Sequence, residues 1–385
     1  GSSSSDSKAG FLNFYAVKYY LISGEASGDL HGSHLIRALK KQDPKAVFRA
    51  WGGDLIQQEG AVVVKHYKDL AFMGFWEVLS NLPTLLRNIA FCKKDILQFK
   101  PDVIIYVDYP GFNLRIANWA KKKGFKNHYY ISPQVWAWKE NRVQQMKRCL
   151  DALYVILPFE KAFFEEKHQF PVHFVGHPLQ DQLSLFKEEQ DFFKTHVLDP
   201  KTPIIALLPG SRKQEIRKML PLFVQVASHF KAYQFVIAGA PGISSEYYDS
   251  FLENASVKIL HSHTIGLLKK SKAALVTSGT ATLETALLGV PQLVCYKSNP
   301  INYWIGKKIV KLKHISLVNL ILDRTAVTEL IQEECNLENL NEHLDTLLKK
   351  SSLDKIQEEY LDLKKQLGDP GASEKTATLI YKAIS

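Results

Sequence analysis

The chain has 385 residues, of which 46% are hydrophobic and 23% are charged, and it carries a formal net charge of +10 at pH 7. This balance excludes a disordered or fibrous protein and fits one large or two ordinary globular domains. The positive charge attracts polyanions, but no zinc-finger or RNA-recognition motif accompanies it, so we expect no nucleic-acid partner.

The start of the chain and its cysteines further restrict the class of protein. Residues 1–15 begin with GSSSSDSKAG, and we expect them to be a tag or disordered linker outside the fold. The four cysteines show no CxxC spacing, which indicates a reducing compartment and argues against a disulfide framework or a zinc knuckle. No stretch of the sequence is apolar for long enough to span a bilayer.

Short runs of β-branched and aromatic residues alternate with helical patterns along the chain. In the first half these runs are KYYLIS (18–23), DVIIYVD (102–108), NHYYIS (127–132), ALYVIL (152–157) and VHFVG (172–176). After the polar stretch LDPKTP (198–203) they resume as IIALLPG (204–210), QFVIAG (234–239), SVKIL (256–260), AALVTSG (273–279) and PQLVCYK (291–297). This pattern is typical of parallel sheets covered on both faces, and it predicts an α/β protein with two Rossmann-like domains.

The restart of the pattern after LDPKTP suggests where the domains divide. We expect an N-terminal Rossmann-like domain over residues 16–198, a second over residues 199–350, and C-terminal helices over residues 351–385. Ligands of such sheets bind beyond the carboxyl ends of the strands, so the residues directly after strands form the candidate site.

Two polar turns follow strands in the first half, SGEASGD (23–29) and VDYPGFN (107–113). Serine or aspartate in the first turn can simply cap the next helix. Asp108 stands at the tip of an otherwise apolar strand, where it is either a helix cap or a general base with limited solvation.

Two further turns, PGSRKQE (209–215) and TSGTATLE (277–284), put small residues at helix N-termini in the second half. The free N–H groups and the dipole of such a terminus attract phosphate. Arg212 adds a planar, charged fork suited to a diphosphate, and Glu284 can accept hydrogen bonds from a ribose. Ordinary capping explains either turn alone. Together, and without GxxxxGK[ST], they favour a nucleotide that is bound but not hydrolysed by P-loop chemistry.

Three other side chains have two interpretations each. His177 in GHP follows a strand and can either reach a ligand or fix its own loop by hydrogen bonding. Trp136 and Trp138 in VWAW can stack on a sugar or an acyl chain, or they can be buried between domains.

Seven motifs occur in the order SGEASGDLHG, MGFWEVL, YYISPQVWAWKENR, FVGHPL, LLPGSRKQEI, SGTATLETAL and SLVNLIL. With them, from about residue 18 to the C-terminus, the chain resembles the lipid-A-disaccharide synthase family, inverting glycosyltransferases of the GT-B fold. The resemblance implies two Rossmann-like domains whose parallel sheets face a central cleft, and C-terminal helices that cross back to the first domain.

The resemblance also implies a reaction. UDP-2,3-diacylglucosamine and 2,3-diacylglucosamine 1-phosphate would give a β-1,6-linked disaccharide 1-phosphate and UDP, an early step of lipid A synthesis in Gram-negative bacteria. The enzyme would be cytoplasmic and peripheral on the anionic inner-membrane surface, without a cofactor. As for the oligomeric state, the sequence is compatible with a homodimer.

Roles for individual residues follow from the same resemblance. Asp108 would be the catalytic base, and Arg212 would stabilise the leaving diphosphate, so that no metal is needed. The donor-binding residues would be Gly210, Ser211, Arg212, Glu215, Ser278, Gly279, Thr280, Glu284 and Asn319. The acceptor-binding residues would be Ser23, Gly24, Glu25, Ser27, Asp29 and His177.

One stretch departs from the family's pattern. Where the family often has a second acid in a DAPDFN-like stretch, this chain has DYPGFN, with Tyr109 and Gly111 in place of alanine and aspartate. If the chain is active, the second carboxylate is not essential here, and Asp108 is left as the candidate base.

Two stretches are candidates for a membrane surface. LAFMGFWEVLSNLPTLLRNIAF (70–91) is apolar apart from a narrow polar stripe, and NYWIGKKIVKLKHI (302–315) separates lysines from apolar residues, as an interfacial helix does. A helical hairpin buried in the core is the alternative for the first stretch. The predicted membrane-facing residues are Phe72, Met73, Phe75, Trp76, Leu79, Trp304, Lys307, Lys308 and Lys311.

Other functions remain open from the sequence. The nearest alternative is another GT-B enzyme, either a transferase for a different lipid-linked sugar or a UDP-sugar 2-epimerase, which needs no acceptor and no lipid-facing surface. A non-catalytic nucleotide-sugar-binding protein is the alternative from a different class, because it would hold UDP without a base at Asp108.

Overall fold

The computed structural model describes residues 15–70, 81–137, 139–298 and 312–385. The chain forms two compact units, each built around one parallel sheet. The first unit comprises Gly1–Ile156, Glu160–Val175 and Gly371–Ser385, and the second comprises Leu157–Phe159 and Gly176–Pro370. The predicted α/β class with two Rossmann-like units is therefore confirmed.

Seven parallel strands form the sheet of the first unit, in the order β3-β2-β1-β4-β5-β6-β7. They are β1 (Lys18–Ile22), β2 (Val47–Gly52), β3 (Val62–His66), β4 (Val103–Val107), β5 (Asn127–Tyr130), β6 (Ala152–Val155) and β7 (His173–Phe174). The strand order reverses between β1 and β4, which pair with Ile22 opposite Tyr106. Such a switch point opens a crevice at the carboxyl ends of its two strands, where open α/β sheets bind ligands.

Helices cover both faces of this sheet. They are α1 (Ala26–Gln42), α2 (Asp54–Gln58), α3 (Leu82–Phe99), α4 (Pro110–Lys122), α5 (Arg142–Cys149) and α16 (Ala372–Ile384), with α6 (Pro158–Ala162) at a point where the chain passes between the units. Successive residues of a strand point to opposite faces. Tyr20 and Ile22 of β1 accordingly pack in the core under α3, α4 and α5, whereas Tyr19 and Leu21 pack in the core under α1, α2 and α16.

The second unit contains six parallel strands in the order β10-β9-β8-β11-β12-β13. They are β8 (Ile204–Leu208), β9 (Gln234–Gly239), β10 (Lys258–His261), β11 (Ser271–Thr277), β12 (Gln292–Tyr296) and β13 (Thr328–Ile331). The helices are α7 (Pro178–Ser184), α8 (Phe192–Thr195), α9 (Lys213–His229), α10 (Ser245–Asp249), α11 (Thr264–Lys270), α12 (Thr280–Leu287), α13 (Leu317–Leu322), α14 (Leu337–Leu347) and α15 (Lys350–Leu367). Here the order reverses between β8 and β11, which gives this unit its own switch point.

The boundaries of the units differ from the expected 198/199 and 350/351. Residues 176–198 belong to the second unit because Phe192 and Leu198 are buried in its core. Likewise, α15 stays with the second unit, where the Tyr360 hydroxyl donates to the Val290 carbonyl oxygen at 2.8 Å. A polar, proline-containing stretch therefore marked a turn into β8 rather than the division between units.

The final helix, α16, belongs to the first unit. It packs against α1, with Ala377 and Ile380 buried in the same core as Leu35 and Leu39. The first unit is thus assembled from both ends of the chain.

Candidate active site

The first candidate site lies at the carboxyl ends of β1 and β4. Asn113, in the first turn of α4, joins the two strand ends, because its amide nitrogen donates to the carbonyl oxygens of Ile22 at 3.2 Å and Asp108 at 2.8 Å. Gly24 and Glu25 follow β1, and the Glu25 carboxylate is close enough to act electrostatically on Asp108. The turns SGEASGD and VDYPGFN therefore meet within one unit.

The backbone at Asp108 is strained and tightly held. Asp108 and Tyr109 have φ angles of 47° and 53°, in the left-handed region that residues other than glycine rarely adopt. The Tyr129 hydroxyl donates to the Asp108 carbonyl oxygen, and the Asp108 N–H donates to the Tyr130 carbonyl oxygen at 3.1 Å. Strained backbone persists where its surroundings over-determine it, and it is concentrated at functional sites.

The Asp108 carboxyl group has a pKa suited to proton transfer near neutral pH. Burial, with a smaller contribution from the Glu25 carboxylate, raises the pKa of Asp108 from 3.8 to about 6, and the Tyr109 N–H opposes the rise. A general base is most effective when its pKa lies near the working pH. At pH 7 this carboxyl group is mainly ionised and yet readily accepts a proton.

Tyr109 requires the glycine at position 24. A Cβ atom on Gly24 would lie 2.5 Å from atoms of the Tyr109 ring, far inside van der Waals contact. The ring also stacks on Phe112, with centroids 5.7 Å apart. Tyr109 thus packs the two switch-point turns against each other, a role that the family's alanine at this position could not supply.

Two of the expected acceptor-binding residues have structural roles. Asp29 is buried, and its carboxylate caps α2 by accepting the N–H groups of Gly53 at 2.8 Å and Ile56 at 3.0 Å. Ser23 is also buried and donates its hydroxyl to the Trp51 carbonyl oxygen at 3.1 Å. Since both side chains are used by the fold, the proposed acceptor site does not include them.

His177 belongs to the second unit and not, as expected, to the unit that contains the other acceptor candidates. It is buried at the N-terminus of α7, where its Nδ1 accepts the Leu179 N–H at 3.1 Å. This is the loop-fixing role that was the alternative for His177. The expected acceptor residues that remain are Gly24, Glu25 and Ser27, at the start of α1.

The second candidate site lies at the carboxyl ends of β8 and β11. These strands are neighbours, with Leu208 opposite Val276, so the turns PGSRKQE and TSGTATLE emerge side by side. Gly210 and Gly279 have φ angles of 122° and 141°, which only glycine adopts readily. Ser278 and Thr280 flank Gly279 where α12 begins. The first turns of α9 and α12 therefore direct backbone N–H groups to the same edge of the sheet.

Arg212 is a cationic group at this edge. It is exposed at the N-terminus of α9, and within the described ranges its side chain has no ion pair. Glu215, in the first turn of the helix, accepts the Ser211 N–H at 2.9 Å. Because Glu215 competes with an anion for this N–H, we do not count it among the ligands of a diphosphate.

Glu284 is half-buried in α12, one turn beyond the phosphate-type turn. Burial raises the pKa of Glu284 to about 7. The Thr277 hydroxyl, at the end of β11, is buried and has no hydrogen-bond partner among the residues that the structure describes. Both groups are polar and lie at the edge of the sheet where a ligand is expected, and a buried hydroxyl such as that of Thr277 normally has a hydrogen-bond partner.

Asn319 also has a structural role. It is fully buried in α13, where its amide nitrogen donates to the Val327 carbonyl oxygen at 2.8 Å and its amide oxygen accepts the N–H groups of Ala326 and Val327. Both ends of the amide hold the loop before β13, so the proposed donor site does not include Asn319.

The expected membrane-facing residues fall in the two stretches 71–80 and 299–311. Phe72, Met73, Phe75, Trp76, Leu79, Trp304, Lys307, Lys308 and Lys311 lie outside the described residues, as does Trp138. The described continuation of the first stretch is α3, where Leu82 and Leu86, one turn apart, are 44% and 56% exposed. No helix in the described ranges is long and apolar enough to cross a membrane.

Two parallel-sheet units, with a carboxylate at one switch point and phosphate-type turns at the other, define the GT-B class of glycosyltransferases and nucleotide-sugar epimerases. The chain matches the family described as lipid-A-disaccharide synthetase over residues 19–383, and it belongs to that family. It is therefore a glycosyltransferase of lipid A disaccharide synthesis, which uses a UDP-sugar donor and a lipid acceptor.

Curated relatives match along nearly their whole length. The lipid-A-disaccharide synthase of Trichlorobacter lovleyi is 35% identical over 371 residues, covering 94% of this chain and 97% of the relative. That of Syntrophus aciditrophicus is 37% identical over 372 residues, with the same coverage.

Solved structures from two classes of GT-B enzyme, the glycosyltransferases and the nucleotide-sugar epimerases, share the fold. The glycotransferase of kitacinnamycin has a TM-score of 0.64 at 12% identity, covering 96% of this chain and all of that one. The UDP-GlcNAc 2-epimerase of Methanocaldococcus jannaschii, solved with UDP-GlcNAc and UDP, has the same TM-score at 14% identity and the same coverage. At these identities the likeness shows the fold alone, so the family match decides between the two classes.

Proposed function

We propose that the protein transfers 2,3-diacylglucosamine from UDP-2,3-diacylglucosamine to 2,3-diacylglucosamine 1-phosphate, with inversion at the anomeric carbon. The observation that carries the mechanism is the Asp108 carboxylate, held by strained backbone at the β1/β4 switch point with a pKa of about 6. An inverting transfer between sugars needs one such base.

In this mechanism the acceptor's 6-hydroxyl oxygen attacks the anomeric carbon from the face opposite the UDP. The hydroxyl proton passes to Asp108, the bond between the anomeric carbon and the diphosphate oxygen breaks, and UDP leaves with the electron pair. Attack from the opposite face accounts for the β-1,6 linkage. Glu25 and Ser27, exposed at the start of α1, would contact the acceptor.

The diphosphate would bind at the β8/β11 switch point of the second unit. Its developing negative charge would be stabilised by Arg212 and by the N–H groups at the starts of α9 and α12. Glu284 would accept hydrogen bonds from the ribose, which fits a half-buried carboxyl group whose pKa is raised by burial. Arg212 is exposed and unpaired in the described part of the chain, so no ion pair has to break when it binds an anion.

A transfer assay tests the proposal directly. The protein is incubated with both acylated substrates, and UDP release and the disaccharide lipid are measured, with the anomeric configuration determined by NMR. We expect UDP release to require the acceptor and the product to be β-linked. Release of UDP or conversion at the sugar's C2 without acceptor would instead support an epimerase, and binding of UDP without turnover would support a non-catalytic protein.

Turnover should survive EDTA. Arg212 and the helix N-termini take the place of a divalent cation at the diphosphate in this mechanism. Initial rates measured before and after chelation check the prediction. A loss of activity that magnesium or manganese restores would show that these groups are insufficient.

We also propose that the enzyme is peripheral on the cytoplasmic surface of the inner membrane. Both substrates carry acyl chains, and the exposure of Leu82 and Leu86 supports an apolar surface next to residues 70–81. The lysines of residues 302–315 would add attraction to anionic lipid, at about 1 kcal/mol for each lysine near the surface.

Replacing Lys307, Lys308 and Lys311 by glutamate should sharply reduce sedimentation with anionic liposomes, because it reverses the local charge. Turnover of short-chain, water-soluble substrates should persist. The matched control replaces three exposed lysines elsewhere, Lys122, Lys123 and Lys126, by glutamate, with the same change in net charge. Equal liposome binding by the two triple variants would exclude the basic stretch as a specific contact, and thermal unfolding shows whether each variant is folded.

A further inference from the structure

Three metal-ligating side chains that have no assigned part in the reaction meet in the second unit. We call Glu189, His196 and His263 the Glu189 cluster; their nearest ligand atoms all lie within 4.8 Å of one another. The Glu189 Oε2 atom is 2.8 Å from His196 Nε2 and 3.6 Å from His263 Nδ1. The two imidazole rings are in contact, with centroids 4.4 Å apart.

The backbone that carries the cluster is anchored to one core. His196 ends the short helix α8, between the buried residues Phe192 and Leu198, and its ring packs on Phe192. His263 precedes α11, whose Leu267 is buried in the same core and donates its N–H to the His263 carbonyl oxygen at 2.9 Å. Ligands separated by 67 residues in sequence are therefore presented by rigid neighbouring segments, as a preformed site requires.

Glu189 is directed to the histidines rather than to a lysine. The adjacent acid, Glu188, pairs with Lys269 at 3.1 Å, whereas the ion-pair distances of Glu189 are to the two imidazoles. His196 is 10% exposed, Glu189 32% and His263 43%, so the cluster lies at the surface with an opening on the His263 side. An ion can enter from solvent without opening the core.

The geometry points to a zinc site. We propose that the Glu189 cluster binds one Zn²⁺ through Oε2 of Glu189, Nε2 of His196 and Nδ1 of His263, with water in the fourth position. Two imidazoles and one carboxylate are a donor set that suits zinc. Ligand distances of about 2.0–2.1 Å place tetrahedral ligands about 3.3 Å apart, so the 2.8 and 3.6 Å separations from Glu189 need to change by about half an ångström or less. The two imidazole nitrogens lie within 4.8 Å of each other, and rotation of the exposed His263 side chain would bring them to the tetrahedral separation.

The bound ion would hold the segment before β8 to the start of α11. It takes no part in the transfer step, which the proposed mechanism assigns to Asp108 and Arg212. Its loss should lower the thermal stability of the second unit. Turnover measured at a temperature well below unfolding should be unchanged. This inference does not depend on the proposed substrates.

The test uses the full chain without an oligohistidine tag, stripped with EDTA and desalted. Zn²⁺ binding is measured by competition with a chromophoric chelator, and Co²⁺ absorption reports the coordination geometry. We expect one Zn²⁺ per chain, a tetrahedral Co²⁺ spectrum, and a rise in the unfolding midpoint on adding Zn²⁺. Glu189→Gln and His196→Ala should each weaken binding by about 100-fold or more, since even residues behind metal ligands cost 10–100-fold.

Two matched variants make the result specific. Glu188→Gln removes the neighbouring acid of the same loop, and His66→Ala removes a histidine that pairs with Asp54 in the first unit. Both should bind Zn²⁺ like the parent. The proposal is overturned if the parent binds no Zn²⁺ at micromolar concentration, or if Glu188→Gln weakens binding as much as Glu189→Gln. Glu189 would then only accept hydrogen bonds from the two histidines.

Discussion

Replacing Asp108 by asparagine should lower turnover by roughly 10²–10⁴-fold, the usual contribution of a general base. Asparagine keeps the size and polarity of the side chain but cannot accept the proton of the acceptor hydroxyl. The affinity for UDP should change little, because the proposed diphosphate ligands belong to the second unit. Initial rates with both substrates and UDP titrations measure the two quantities.

The control for this variant is Asp102→Asn. Asp102 precedes the same strand, β4, at its opposite end, where it accepts the Lys18 N–H at 2.7 Å. The Asp102→Asn variant should retain nearly full turnover. Near-normal turnover of Asp108→Asn would rule out Asp108 as the base.

The raised pKa of Asp108 also predicts a pH dependence. A carboxyl group with a pKa of about 6 is protonated below that pH and cannot act as a base, so kcat/KM should fall about tenfold per unit as pH decreases below 6. Asp108→Asn should lack this limb, whereas Glu284→Gln should retain it. The same shift disfavours the ionised carboxylate in the folded protein, so Asp108→Asn should not be less stable than the parent at pH 7.

The second large effect is expected on stability, from Asp95→Ala. Asp95 is buried in α3 and accepts three hydrogen bonds, from the Tyr20 hydroxyl at 2.8 Å and from Nε and Nη2 of Arg49 at 2.8 and 2.6 Å. The Tyr20 hydroxyl in turn accepts the Trp51 indole N–H at 2.9 Å. Removing the carboxylate leaves a buried hydroxyl and a mostly buried guanidinium without their acceptor.

We expect Asp95→Ala to lower the free energy of unfolding of the first unit by about 3 kcal/mol, the lower end of the range for breaking a buried pair, because Arg49 remains 31% exposed. Urea unfolding followed by tryptophan fluorescence measures the change. Lys41→Ala, which removes an exposed pair with Glu374, should cost less than about 1 kcal/mol. A loss for Asp95→Ala as small as that of Lys41→Ala would contradict the role of the network.

The central strands could be predicted from the sequence because burial on both faces leaves continuous apolar runs. DVIIYVD contains β4, and IIALLPG contains β8. The inner strand β2 and the edge strands β3 and β13 were missed, since β2, VFRAWG, is interrupted by an arginine, β3 is half-exposed, and β13, TELI, alternates with polar residues. The unit boundary was misplaced because a proline-containing turn has the same composition within a domain as between domains.

The site residues that could be predicted from the sequence are those that stand directly after a strand. Asp108 and Arg212 follow strands at the two switch points, and a run of apolar residues before a polar turn makes such positions visible. Asp29 follows the same rule, and Asn319 was expected from the family resemblance. Their partners, Gly53 and Val327, lie in other loops, so only the folded chain reveals that both side chains hold the backbone. No spacing rule connects His196 with His263, because the sheet brings them together.

Because α16 completes the first unit, the order of synthesis and the order of folding cannot coincide for this protein. The face of α1 that contains Leu35 and Leu39 leaves the ribosome early, but its covering helix follows only after the 195 residues from 176 to 370. At about 5–20 residues per second this delay is roughly 10–40 s. During that time the second unit can fold, whereas the first exposes apolar surface to solvent. Chaperone binding during translation should therefore concentrate on the unit that is made first.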